Sequence, residues 1–203
     1  MNEQSGSFFA LSAPMRELTR ITAVSLVLLI GIGFAAGLLR PGSMDPLMVR
    51  FTDAAAEIGL YQIEGFDLMI TILANNLFSL LLAIAVGLVP YLHLSALMLG
   101  LNALLIGALG AWYQTSGRGL FAYLAGTLPH GITEGAALVF SCAAGLYVCR
   151  ATTWAAGGKV EWRTVSRTLR ECLRVYTRFV VPLSIASAAL EAFVTPLIFS
   201  RFL

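Results

Sequence analysis

Long apolar stretches separated by short polar ones run the length of the chain. The first extends from about Leu18 to Leu39 and is preceded by Arg16 and Arg20. At about 20 residues it is long enough to cross a ~30 Å hydrocarbon core. A cleaved signal peptide would have a shorter apolar core, a small-residue cleavage site and a polar chain after it. The continuing hydrophobicity instead predicts a retained helix. A second span is predicted from about Leu68 to Val89 and a third from about Leu94 to Trp112, joined as a helical hairpin through Pro90-Tyr91-Leu92-His93. The stretch Leu120–Val148 is too long for one straight span and too short for two. Pro129 lacks an N–H, and its ring crowds the preceding turn. It is therefore expected to divide this stretch into a short helix and a span from about Gly131 to Cys149. The last span covers about Phe179 to Phe202, with Pro182 near its start and Pro196 near its end. Five crossings result.

Two intervening segments read as amphipathic helices at the membrane interface. After Pro41, Gly42 and Pro46, the apolar residues Leu47, Met48, Phe51, Ala55 and Ile58 fall on one face of a short helix over Leu47–Gly59. Between Arg150 and Arg178, helical spacing aligns Arg163, Arg167, Arg170 and Arg174, while Val160, Trp162, Val165, Leu169 and Cys172 supply apolar area. That face suits anionic headgroups or a cytoplasmic partner, and a plain solvated face fits the same pattern. Arg16, Arg20 and the Arg150–Arg178 segment fall on one side of the five-span topology. Asp45, Asp53, Glu57, Glu64 and Asp67 fall on the other. The positive-inside rule then assigns a cytoplasmic N-terminus and an external C-terminus.

Composition agrees with the pattern. Hydrophobic residues make up 58% of the chain and charged residues 12%, against roughly 45–50% and about 25% in soluble domains. An all-α, polytopic transmembrane bundle is predicted, forming one integral membrane domain over residues 1–203. A net charge of +2, with no long basic tail, excludes nucleic acid as the expected partner. Cys142, Cys149 and Cys172 show no paired metal spacing and read as buried small hydrophobes.

Against this background six residues stand out: Asn75, Asn76, Asn102, His130, Glu134 and Glu191. Each lies within or beside an apolar segment, where a polar or ionisable group is costly and marks a functional or strongly structural position. The topology draws most of them toward the outer half of the membrane. His130 and Glu134, four residues apart, share one helical face. They could ligate a metal or relay a proton, with Glu191 as a third group. The asparagines could orient these groups, coordinate a hard cation through their carbonyls, or serve as interhelical hydrogen bonds. No Lys or Arg lies near the centre of a span, so each glutamate needs His130, a bound cation or a proton. Small residues thin three spans: Gly33 and Gly37 in the first, Gly100, Ala103, Gly107 and Gly110 in the third, and Gly131, Gly135 and Gly145 in the fourth. They permit close packing within the bundle or across a C2 homodimer interface.

Four strings carry a resemblance: Ile72-Leu73-Ala74-Asn75-Asn76, Gly100-Leu101-Asn102, Leu128-Pro129-His130-Gly131-Ile132-Thr133-Glu134, and Ala189-Leu190-Glu191-Ala192-Phe193-Val194-Thr195-Pro196. Their order and spacing, from about Asp67 to the C-terminus, resemble the successive motifs of the stage II sporulation protein M family. The resemblance implies a bacterial or archaeal inner-membrane protein of about five helices. It further implies a scaffold or assembly factor that anchors cell-wall-degrading partners, as members do in spore formers. A small ion or solute transporter using Glu134, His130 and Glu191 is the alternative. Zinc-protease, nucleophile-elbow, phosphate-loop and dinucleotide motifs are missing. An enzyme is therefore not expected, an intramembrane hydrolase on His130, Glu134 and Glu191 being the remote exception. A bound cation is the one cofactor the residues suggest.

Overall fold

The computed structural model describes residues 11–57 and 63–199. Among these residues the chain is helical, with no strands. The helices are α1 (Ala13–Leu39), α2 (Asp45–Glu57), α3 (Gly65–Ala85, extended by a 3₁₀ turn over Val86–Leu88), α4 (Leu94–Thr115) and α5 (Leu120–Ala156). They are followed by α6 (Trp162–Val175), α7 (Val181–Ala189) and α8 (Thr195–Phe199), joined by π-helical turns at Tyr176–Val180 and Leu190–Val194. Five helical stretches are long and apolar enough to cross a membrane: Ala13–Leu39, Gly65–Leu88, Leu94–Thr115, Leu120–Ala156 and Trp162–Ile198. The protein is an all-α, membrane-spanning bundle.

Two sequence expectations are corrected. The chain does not divide at Pro129, which sits inside a continuous α5 of 37 residues. Proline removes only the bond to the carbonyl of Ala125, whereas a break would strand several backbone groups in hydrocarbon, where nothing else can satisfy them. Nor do the Arg-rich helix and the last span form separate elements. They are one run whose two π-turns end at Val180 and Val194, two residues before Pro182 and Pro196. A proline ring clashes with the carbonyl four residues back, and widening the preceding turn relieves the clash without ending the helix. The expected short helix is present as α2, although Ile58 and Gly59 lie outside the described residues, as does the expected end of the last span at Phe202.

α5 is the central element and packs against α1, α3, α4, α6, α7 and α8. Buried Met15, Ile84, Val148 and Cys172 form one core, and Leu80, Leu99, Leu138, Cys142 and Val180 form a second. All three cysteines are free and buried, as small hydrophobes. α6 turns Val165, Thr168, Cys172 and Val175 inward and leaves Arg163, Arg167, Arg170 and Arg174 exposed; Trp162 is exposed as well. Because Met15 packs with Cys172, the Arg16 end of α1 and the basic α6 share one end of the bundle.

The predicted hairpin forms, with Tyr91 and His93 at positive φ in its turn and the Tyr91 N–H donating to Thr153 Oγ1 at 2.9 Å. Its two arms nevertheless separate, because α4 lies along α1 rather than along α3. Small residues cause this choice. A Cβ on Gly107 would strike the backbone of Ile30 and Phe34, and one on Gly33 or Gly37 would strike Leu104 or Ala111. The Gly33/Gly37 pair is thus used inside the bundle. At the other seam Gly145 faces Ala83 and Ser95, and Gly87 faces Gly145. Hydroxyl groups then bond across helices to backbone carbonyls: Thr152 to Gly87 at 3.0 Å, Tyr176 to Leu77 at 2.7 Å, Tyr123 to Ile106 at 2.8 Å and Ser95 to Ala83 at 2.7 Å. Such bonds average about 0.6 kcal/mol each in membrane proteins.

Candidate polar site in the membrane

The splaying of α3 from α4 leaves a cleft of about 840 Å³ among α1, α3, α4 and α5. Its walls are mostly apolar, with Leu26, Ile30, Phe34, Met98 and Leu138 among the lining side chains. The polar exceptions include Asn75, Asn76, Ser79, Asn102, Thr127 and Glu134. One bordering glycine faces open space: nothing lies within 4 Å of a Cβ placed on Gly31.

At Glu134 the cleft adjoins a tighter cluster. His130 and Glu134 stand one turn apart on α5, and Glu191 approaches from the second π-turn of the last helix. One ligand atom from each lies within 4.8 Å of the others, and all three side chains are partly buried. No hydrogen bond or ion pair reaches either carboxylate among the described residues. Two carboxyl groups therefore face each other in the bundle without a protein cation between them.

His130 is fixed from behind. Its Nδ1 lies 3.1 Å from Thr195 Oγ1, and Thr195 Oγ1 lies 3.4 Å from the carbonyls of both Gly126 and Leu190. The His130 carbonyl accepts a bond from Ser187 Oγ at 3.2 Å and another from Thr133 Oγ1 at 2.7 Å. Thr195 and Ser187 thus hold the last helix to α5 around the histidine.

The six sequence-selected residues separate into two groups. His130, Glu134 and Glu191 converge. Asn75, Asn76 and Asn102 join Glu134 in lining the cleft but have no hydrogen bond to the other two cluster members. Asn102 Nδ2 donates to Met98 O of its own helix at 2.9 Å, and Asn75 and Asn76 have no side-chain hydrogen bond among the described residues. The interhelical bonds expected of the asparagines are made by Thr, Ser and Tyr hydroxyls. Sequence reasoning passed over Thr195 and Ser187. The available signal was spacing: Thr195 follows Glu191 by four residues and returns to the same helical face.

Comparison with protein families matches Stage II sporulation protein M over residues 22–196, a segment that holds all six polar residues. No curated protein and no solved structure matches the chain. With a match across most of its length, and with the motif residues His130, Glu134 and Glu191 gathered at one place, the chain belongs to the stage II sporulation protein M family.

Proposed function

We propose that this protein is a membrane scaffold or assembly factor of the inner membrane whose polar cluster holds a cation or a proton that fastens the last helix to α5. The convergence of His130, Glu134 and Glu191 from two elements carries this reading. Two unneutralised carboxyl groups so close together would push the helices apart, and a shared positive charge reverses that force. Family membership supports the scaffold role, with cell-wall-degrading proteins as partners. The gathering of Arg16 and the basic α6 at one end supports a cytoplasmic N-terminus. Because the seams at Gly33/Gly107 and Gly87/Gly145 are filled within the bundle, a C2 homodimer would use another face.

Transport of a small ion or solute is the second reading, favoured by the cleft that reaches Glu134. Proteoliposomes loaded with ion-sensitive dyes separate the two. Scaffolding predicts no ion flux above that of protein-free vesicles. Flux that disappears in Glu191→Gln, with the variant still folded, would replace scaffolding by transport.

A further inference from the structure

We propose that His130, Glu134 and Glu191 form a binding site for a first-row divalent metal ion of the zinc class, with His130 Nε2 and one oxygen from each carboxylate as protein ligands. This inference rests on the reading that the cluster holds a cation, and it names the cation.

The imidazole is the first argument. Nδ1 is engaged by Thr195 Oγ1 at 3.1 Å, and the hydroxyl in turn has the carbonyls of Gly126 and Leu190, both at 3.4 Å, to donate to. In the tautomer with the ring proton on Nδ1, that nitrogen donates to Oγ1 and Nε2 presents a lone pair, and a metal on Nε2 selects this tautomer. A hydrogen bond on one ring nitrogen that fixes the tautomer and leaves the other free to ligate is the usual outer support of a metal-binding histidine. This support comes from outside the cluster and is independent of the two carboxylates.

Charge is the second argument. A dication between two carboxylates and a neutral imidazole gives a net charge of zero, the least costly state in a low-dielectric bundle. A monovalent ion, or a single proton, leaves the same groups at −1. Ligand chemistry then selects within the divalent ions. Calcium and magnesium take oxygen ligands, whereas an imidazole combined with carboxylates suits zinc and its first-row neighbours. The size fits as well. Tetrahedral zinc bonds of about 2.0–2.2 Å place ligand atoms roughly 3.3–3.6 Å apart, so groups already within 4.8 Å of one another need close by little more than about 1 Å. Three protein ligands leave a coordination position open, beside the cleft that Glu134 lines.

The full chain, purified in detergent and stripped with a chelator, is titrated with Co²⁺, followed by its visible absorption, and then challenged with Zn²⁺. One ion per chain is expected, displaced by Zn²⁺ and not by excess Mg²⁺ or Ca²⁺. Binding should be lost in Glu191→Gln and His130→Ala. Thr195→Val, which touches no ligand atom, should weaken it about 10–100-fold, while Thr195→Ser restores it. Helicity and elution volume establish that each variant is folded, and if His130→Ala does not fold, the Thr195 pair carries the test. Wild-type affinity in Thr195→Val overturns the histidine's role. Displacement by Mg²⁺ or Ca²⁺ overturns the metal class but leaves a cation site standing. No Co²⁺ binding by the wild type overturns the metal site, a result separate from the flux measurement above.

Discussion

At the scale of single residues, the same residue type has opposite meanings depending on what lies beyond its Cα. Gly145 is where α5 meets the Ala83 carbonyl and the Ser95 side chain, so Gly145→Ala forces backbone apart. Overpacking of this kind costs typically about 1–3 kcal/mol. Gly31 faces open space in the cleft wall inside α1, and Gly31→Ala should lose no stability and, by helix propensity, gain up to about 1 kcal/mol. Thermal unfolding in detergent, run on both variants, checks the pair; equal losses would show that the seam at Gly145 is not closed as described. The sequence marked Gly145 as a small residue in a span and passed over Gly31, and it carried no means of telling what either meets, because the difference lies in the partner helix. His130, Glu134 and Glu191 were legible for a complementary reason. Ionisable groups in hydrocarbon are conspicuous whatever surrounds them. Thr195 and Ser187, whose hydroxyls bond to the backbone in any helix, were not conspicuous.

At the scale of elements, the apolar stretches placed the first three spans within about five residues, whereas the fourth and fifth helices begin more than ten residues before the expected Gly131 and Phe179. Prolines were the weak point. Pro129 signalled a break by the rules of helices in water, yet the bilayer keeps α5 whole. Pro182 and Pro196 left π-turns rather than ends, and the second of these turns carries Glu191 toward α5. Helix pairing was also hidden. Sequence adjacency joined α3 to α4, whereas α4 packs on α1 through Gly33, Gly37 and Gly107. The last helix is tied to α3 by the Tyr176 hydroxyl on the Leu77 carbonyl at 2.7 Å. Tyr176→Phe removes that bond and little else, and should lower unfolding free energy by about 0.6–1.7 kcal/mol, the range of interhelical bonds in membranes. Steric-trap or denaturant unfolding in bicelles measures it; no loss would mean that α3 and the last helix are held by packing alone.

At the scale of the whole molecule, α5 acts as a central post. α1 and α4 are zipped together beside it, α3 stands apart from α4 across the cleft, and the last helix is held along it by Ser187 and Thr195, next to the cluster of His130, Glu134 and Glu191. The proposal that one positive charge fastens this arrangement requires His130 and Glu191 to act as a unit. Removing either releases the shared cation, so removing both should cost little more than removing one. The direct measurement is a double-mutant cycle of His130→Ala and Glu191→Gln on unfolding free energy in bicelles. A coupling of at least about 1 kcal/mol is predicted, within the range seen for residues that share a network. Losses that add to within about 0.3–0.5 kcal/mol, as independent sites do, would contradict the shared cation and reduce the cluster to three neighbouring side chains.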